Sequence, residues 1–441
     1  MKPVAYGVGD GYRQRRGGAG NGGARVTLAV ALALAVPLGA LPGMAWAQAA
    51  AAWLPEEAAV REAVRQAPDV QAAEAAREAM LARAGGIRAG NAETVLRTTA
   101  QGRRVRDPSD RFAEGQLLLE RPLRLWGKSG ADADLADVTE QAGRLAAMDA
   151  RHEASRQVLA LWFAALRAQQ ARAAAQAADV LAAELARVTE RRLRAGDAAR
   201  LDHELSLAER ARTTAALAAA RAAEASAQAE LRARFPELGV PAALVATPAL
   251  PDMPAEPAAQ LRNQYLLGSH EFLLAQAQEL QAQRQARRID LERHPDPTVG
   301  VFVTIERGGA ERIAGVSVSM PLGSAARRSN AAAAAADAEG AARRRLAVER
   351  KVGAEFEQLY HALQGKRSAA EAQAQALALQ RSAAARSGRA YAEGEAGLTE
   401  LLVVRRNLAD SEQAERLARV DALEADTRLQ LDLHRLWDFD D

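Results

Sequence analysis

Residues 298–322 read TVGVFVTIERGGAERIAGVSVSMPL. Val299, Val301, Val303 and Ile305 fall at every second position, so they face one way. After Gly308-Gly309 the alternation resumes, with Val316, Val318 and Met320 opposite Ser317 and Ser319. A period of two with a glycine turn predicts a β-hairpin over Thr298–Ile305 and Ile313–Met320, apolar on one face. Strands of about nine residues with one apolar face suit a transmembrane barrel hairpin, although an ordinary soluble hairpin has the same pattern. Pro321-Leu322 closes the segment, and a long helical stretch follows.

Seventy-three residues after Pro321 stands Gly394, in Glu393-Gly394-Glu395. The same arrangement occurs earlier. Glu93–Arg103 and Ala113–Arg121 read as strands around a polar turn at Asp107-Pro108-Ser109-Asp110. Pro122-Leu123 closes them, and Gly196, in Ala195-Gly196-Asp197, lies 74 residues after Pro122. The chain is therefore an internal duplication. A first repeat spans 48–240, with strands at about 93–121. A second spans 257–441, with strands at about 298–320. Pro241, Pro248, Pro251 and Pro254 mark a linker over 241–256. Each repeat runs helix, two strands, long helix, break, shorter helix.

Helix lengths constrain the arrangement. From Pro122 to Gly196 a helix spans roughly 110 Å at 1.5 Å per residue. The helix after Gly196 ends near Phe235, and the one before the first strand covers Glu56–Ala84, with a kink expected at Pro68. Laid end to end, these two nearly equal the long helix, and the second repeat behaves alike. Stripes at Leu181, Leu185, Val188; Val352, Phe356, Leu359, Leu363; and Leu401, Val404, Leu408 supply coiled-coil seams. Long helices alternating with stacked half-length ones fit a tube wall, whereas a plain rod gives no reason for the lengths.

Composition agrees. Aromatics are 4% of 441 residues although the hydrophobic set is 49%, so alanine carries the apolar count and favours close helix packing. The 58 basic and 56 acidic residues are interspersed, which argues against a nucleic-acid face. Residues 1–47 read as a signal peptide: Arg13, Arg15, Arg16 and Arg25 precede an apolar run from Val26 to Leu41, and Ala45-Trp46-Ala47 forms a cleavage pattern. There is no cysteine for disulfides, thiolate ligation or lipidation.

No nucleophile elbow, phosphate loop or carboxylate pair appears, so no enzyme and no cofactor are expected. The six histidines (His152, His203, His270, His294, His361, His434) form no HxxxH or His/Asp cluster in sequence. They read as surface or seam residues, and no metal site is expected. In Asp202-His203-Glu204, adjacent helical side chains point apart.

The layout resembles the TolC-like outer-membrane efflux family over the whole mature chain. The residues carrying the resemblance are the Pro-Leu strand exits, Trp126-Gly127-Lys128, and the Gly-Asp-x-x-Arg-Leu-Asp run at Gly196–Asp202. Asp296-Pro297-Thr298-Val299-Gly300-Val301 and Glu306–Arg312 resemble the cobalt-zinc-cadmium branch, serving resistance-nodulation-division heavy-metal pumps. The resemblance implies a homotrimer in outer-membrane lipid, with four strands per protomer in one 12-stranded barrel above a helical periplasmic tube. Oligomerisation itself follows from the residues, since four strands cannot close a barrel and about eight are the minimum. Pro122 and Pro321 are then the barrel-to-helix junctions, ending a ladder and starting a helix.

The resemblance also makes Gly196 and Gly394 periplasmic hairpin tips that meet an adaptor protein bridging to an inner-membrane pump. Arg194, Gly196, Asp197 and Leu201, with Gly394, Gly397 and Leu398, are the docking candidates. The glycines alternatively serve only the tight reversal. The family often carries two acidic residues past the second tip as a gate. Glu400 occupies the first position and Val403 the second; Glu400 is otherwise a solvated face residue. Two competing functions remain: a periplasmic coiled-coil scaffold without a pore, and a conduit for type I protein secretion or drugs. The sparse aromatics near the strands (Phe112, Trp126, Phe302) and the weak alternation at Leu117-Leu118-Leu119 count against a strong barrel.

Overall fold

The computed structural model describes residues 52–90, 92–242 and 246–439, all within one structural unit, Gly43–Asp441. The expected signal peptide lies outside the described residues. In chain order the elements are α1 (Glu57–Gln66), α2 (Pro68–Ala89), β1 (Val95–Arg106), β2 (Ser109–Pro122), α3 (Lys128–Ala195) and α4 (Arg200–Arg234). The second repeat supplies α5 (Ala258–Gly268), α6 (His270–Leu291), β3 (Thr298–Glu306), β4 (Glu311–Ser319), α7 (Ala325–Glu393) and α8 (Leu398–Asp432).

Helix lengths recur between the two halves of the chain. The long helices α3 and α7 have 68 and 69 residues, and α4 and α8 have 35 each. The pairs α1/α2 and α5/α6 have 10 and 22, and 11 and 22 residues. Half-length helices therefore match each long helix when stacked. The long helix α3 packs along α2 and α4 on one side and along α6 and α8 on the other, and α7 then packs on α6 and α8.

Several boundaries differ from the sequence expectation. Pro68 does not kink one helix; Ala67 is extended (φ −60°, ψ 129°) and separates two, with Pro68 at the start of α2, where its missing N–H costs nothing. The second repeat breaks at the equivalent place without proline. There Ser269 (φ −61°, ψ 116°) caps α6, its hydroxyl accepting from the Phe272 N–H at 3.3 Å. The first hairpin is longer than expected, with only Asp107-Pro108 between its strands. Pro122 ends β2 but opens no helix: α3 begins at Lys128, and α7 at Ala325, capped by Ser324. The described parts of the linker, up to 242 and from 246, touch the helices, Gln169 donating to the Pro241 carbonyl (3.0 Å) and Arg419 to that of Pro248 (3.4 Å).

Bulky side chains gather midway along the long helices. Trp53, Val60, Val158, Trp162, Phe163, Leu231 and Phe235 form one cluster, closed by Val420, Leu423 and Trp437. Leu261, Tyr265, Phe272, Val352, Phe356 and Leu363 form its counterpart in the second repeat. Few aromatics suffice because they concentrate where short helices must be held against long ones. Truncating buried Phe356 to alanine would cost about 3–5 kcal/mol.

Candidate functional site

The four strands form one antiparallel sheet in the order β1-β2-β3-β4. Register places Leu96, Leu119, Val301 and Val316 in one cross-strand row, and Thr98, Leu117, Val303 and Ala314 in the next. Side chains alternate across a sheet, so these rows share a face. That face is apolar and exposed: Leu117, Val301 and Val316 are 53%, 56% and 79% accessible. Arg111 and Arg121 bracket it on β2, ten positions apart, or roughly 34 Å along the strand. Tilted by about 40°, that distance projects to about 26 Å, the height of a bilayer's apolar band.

The opposite face is polar. Arg97 pairs with Glu120 (2.9 Å), and Arg103 with Glu114 (3.1 Å) and Glu306 (3.4 Å); Gln101 donates to Glu114 (2.9 Å). The Leu117–Leu119 run is ordinary alternation, since Leu118 sits on the polar face opposite Phe302. Phe302 and Phe112 also belong to this polar face, so neither stands among the exposed apolar rows. The Phe302 ring lies over Gly315, where an added Cβ would meet it at 2.6 Å.

Below the sheet, the two motifs at the strand ends meet each other. Lys128, the first residue of α3, is fully buried. Its Nζ lies 2.9 Å from Asp296, 3.3 Å from Glu292 and 2.8 Å from the His294 carbonyl. Asp296 also accepts from the Leu125 N–H (3.1 Å), and the Trp126 indole N–H donates to the Pro295 carbonyl (3.4 Å). Arg288 bridges Asp132 and Glu292, and Arg327 of α7 donates to the Glu292 carbonyl (2.7 Å). Burial works against the Glu292 charge, but Arg288 and Lys128 outweigh it and lower its pKa. An ionic network thus joins α3, α6 and α7 where the strands end.

At the far end, Gly196 and Gly394 close α3 and α7 with the same backbone, φ +81° in each. The Asp197 N–H donates to the Arg192 carbonyl (2.8 Å) and the Glu395 N–H to that of Ala390 (2.8 Å), a Schellman turn in both repeats. Arg194, Gly196, Asp197, Gly394 and Gly397 are exposed, and Leu201 is 63% accessible. Leu398 is not available at this surface. It is 2% accessible and packs with Leu185, Leu401 and Leu402, so its side chain holds the two tips together. Glu209, paired with Arg212 (2.7 Å) and Arg406 (2.6 Å), joins α4 to α8, and Arg192 lies over the Tyr391 ring. Glu400 is exposed in the first turn of α8, with Val403 exposed beside it.

Three of the six histidines meet in a seam between helices. His152, His270 and His434 each turn one nitrogen toward the others, all within 4.8 Å. Nothing in the sequence could reveal this, because the three stand more than a hundred residues apart and meet only through the fold.

Neither a protein-family model nor a curated protein sequence matches the chain. Solved structures do. The outer membrane channel CmeC of Campylobacter jejuni superposes with a TM-score of 0.71 at 14% identity, over 89% of this chain and 87% of that one. The outer membrane protein VceC of Vibrio cholerae gives 0.69 at 18% identity, over 85% and 95%. The open outer membrane channel MtrE of Neisseria gonorrhoeae gives 0.61 at 17%, over 86% and 88%. With these likenesses covering 85–89% of the chain, it has the fold of these outer membrane channels.

Proposed function

We propose that three copies of this chain form a channel through the outer membrane, continued as a periplasmic helical tube, and that this channel is the passive exit conduit of a tripartite efflux system. The observation that carries the proposal is the sheet: apolar outside, polar inside, with β1 and β4 at open edges. Lipid tolerates no open edge, because unpaired backbone groups there find no water. A neighbouring copy supplies the missing partner at each edge. The helical layer has matching open sides, α2 and α4 at one end and α7 at the other, so one rotation closes both. Three as the copy number rests on the family resemblance and the likeness in fold to known channels.

A periplasmic scaffold without a pore leaves the exposed valines and leucines of the sheet without a purpose. The exposed tip residues Arg194, Gly196, Asp197, Leu201, Gly394 and Gly397 are the proposed adaptor contacts, the adaptor leading to an inner-membrane pump. Substrates are metal ions or small toxic molecules, with the heavy-metal assignment resting on resemblance alone; type I protein secretion is the alternative use of the same conduit.

Purified protein should be a detergent-soluble homotrimer that forms conducting pores in planar bilayers. A water-soluble monomer or dimer without conductance would overturn the reading. Glu400 is the proposed gate residue. Glu400→Ala should weaken cation selectivity and block by polycations; unchanged recordings would leave Glu400 a solvated surface residue.

A further inference from the structure

We propose that His152, His270 and His434 form a tri-imidazole site for one divalent transition-metal cation, tying the two repeats together inside the helical layer. His152 comes from α3, His270 is the first residue of α6, and His434 follows α8. Their ring centroids lie 5.4, 5.1 and 4.7 Å apart. Tetrahedral ligation at about 2.0–2.1 Å sets nitrogens roughly 3.4 Å apart. The present 4.8 Å limit therefore requires at most about 1.4 Å of closure, within reach of side-chain rotation.

The backbone is arranged to present these rings. His434 has φ +56° and follows α8 in a Schellman turn, its own N–H donating to the Leu431 carbonyl and that of Arg435 to the Gln430 carbonyl. At the corresponding turns of α3 and α7 the left-handed residue is glycine. A side chain at this position costs conformational energy that glycine does not, and here the side chain is an imidazole. Gly268 makes room for it, since a Cβ there would meet the His434 ring at 3.0 Å. The break at Ser269 brings His270 to the start of α6, where it is 4% accessible.

The surroundings suit a cation. Asp432 Oδ1 lies 3.0 Å from His152 Nε2, the kind of carboxylate partner that orients a ligating imidazole. Arg156 (2.8 Å) and Arg428 (2.9 Å) hold Asp432 in place. Three imidazoles without thiolate or clustered oxygen ligands select zinc, cobalt, nickel or copper over calcium or magnesium.

The test is titration of the purified full-length assembly with Co(II), read by equilibrium dialysis and by the visible d–d absorption of low-coordinate cobalt. One Co(II) per protomer is expected, displaced by Zn(II), with Zn(II) also raising the thermal midpoint. His270→Gln should weaken binding by at least about 100-fold, while exposed His361→Gln should leave it unchanged. His434→Gly guards against a folding artefact, because glycine suits the left-handed position: it should fold as well as wild type and lose the metal. Substoichiometric binding by wild type, or equal binding by wild type and His434→Gly, would overturn the proposal and leave three rings that merely pack. No readout depends on channel activity, so failure here is separable from failure of the efflux reading.

Discussion

Asp426 of α8 is 1% accessible and accepts only a long hydrogen bond from Gln430 (3.4 Å). Burial outweighs that bond and raises its pKa from 3.8 to about 6. A carboxyl whose folded pKa is raised destabilises the fold as it ionises. The penalty is absent below about pH 4, grows through pH 6 and then saturates, at about 2–3 kcal/mol for a shift of this size. Asp426→Asn should therefore raise the thermal midpoint at pH 7.5 and match wild type at pH 4; equal midpoints at both pH values would refute the assignment. Lys128 predicts the opposite sign. It is fully buried against two carboxylates, and Lys128→Met removes their counter-charge. Breaking a buried pair costs about 3–5 kcal/mol, and partial exposure of Glu292 and Asp296 lowers this to about 2–3 kcal/mol. Denaturant or thermal unfolding of the variant checks this, and a loss below about 1 kcal/mol would mean that water replaces the lysine.

At the scale of the element, the tips offer the cleanest substitution. No atom lies within 4 Å of a Cβ built on Gly196 or Gly394, so any cost of substitution there comes from φ +81° alone. For a β-branched side chain this is about 2 kcal/mol, confined to one turn. Gly394→Val should leave trimers in the outer membrane but abolish adaptor cross-linking and efflux-dependent resistance, with a weaker defect for Gly196→Val. Gly394→Asn should be tolerated, since Asn adopts the left-handed conformation. Fully active Val variants would make the tips simple turns. These turns could be read from the sequence because glycine after a long periodic stretch has one common structural use. So could the hairpins, because a sheet with one apolar face preserves strict alternation. The break at Ser269 could not: Pro68 announces its counterpart, whereas Ser269 acts through a cap that looks like any serine in a helix. Leu398 was misplaced because spacing from Gly397 says nothing of the neighbouring hairpin that covers it. The histidine cluster lay further out of reach, since its members converge only after that break has formed and α8 has returned to mid-height.

For the assembled molecule, the sheet carries two faces that must respond oppositely to charge. Val301 lies mid-strand in the apolar row with Leu119 and Val316, while Thr304, three positions on, occupies the inner face with Gln116. If the outer face meets lipid, Val301→Arg transfers a guanidinium into hydrocarbon at about 2–4 kcal/mol per protomer, a cost repeated in every copy of the oligomer. Thr304→Arg instead adds charge to a water-filled interior already carrying Arg97, Arg103 and Glu114, and should cost little stability. The two variants also separate stability from selectivity. Val301→Arg should reduce the yield of membrane-inserted trimer and lower its dissociation temperature in detergent, with conductance of the surviving pores unchanged. Thr304→Arg should assemble normally and shift ion selectivity toward anions. Both responses need the sheet to be closed by neighbours, because an open sheet would have no lumen to tune. If Thr304→Arg blocks assembly while Val301→Arg is silent, the faces are inverted, and the apolar rows would then be packing against protein rather than lipid.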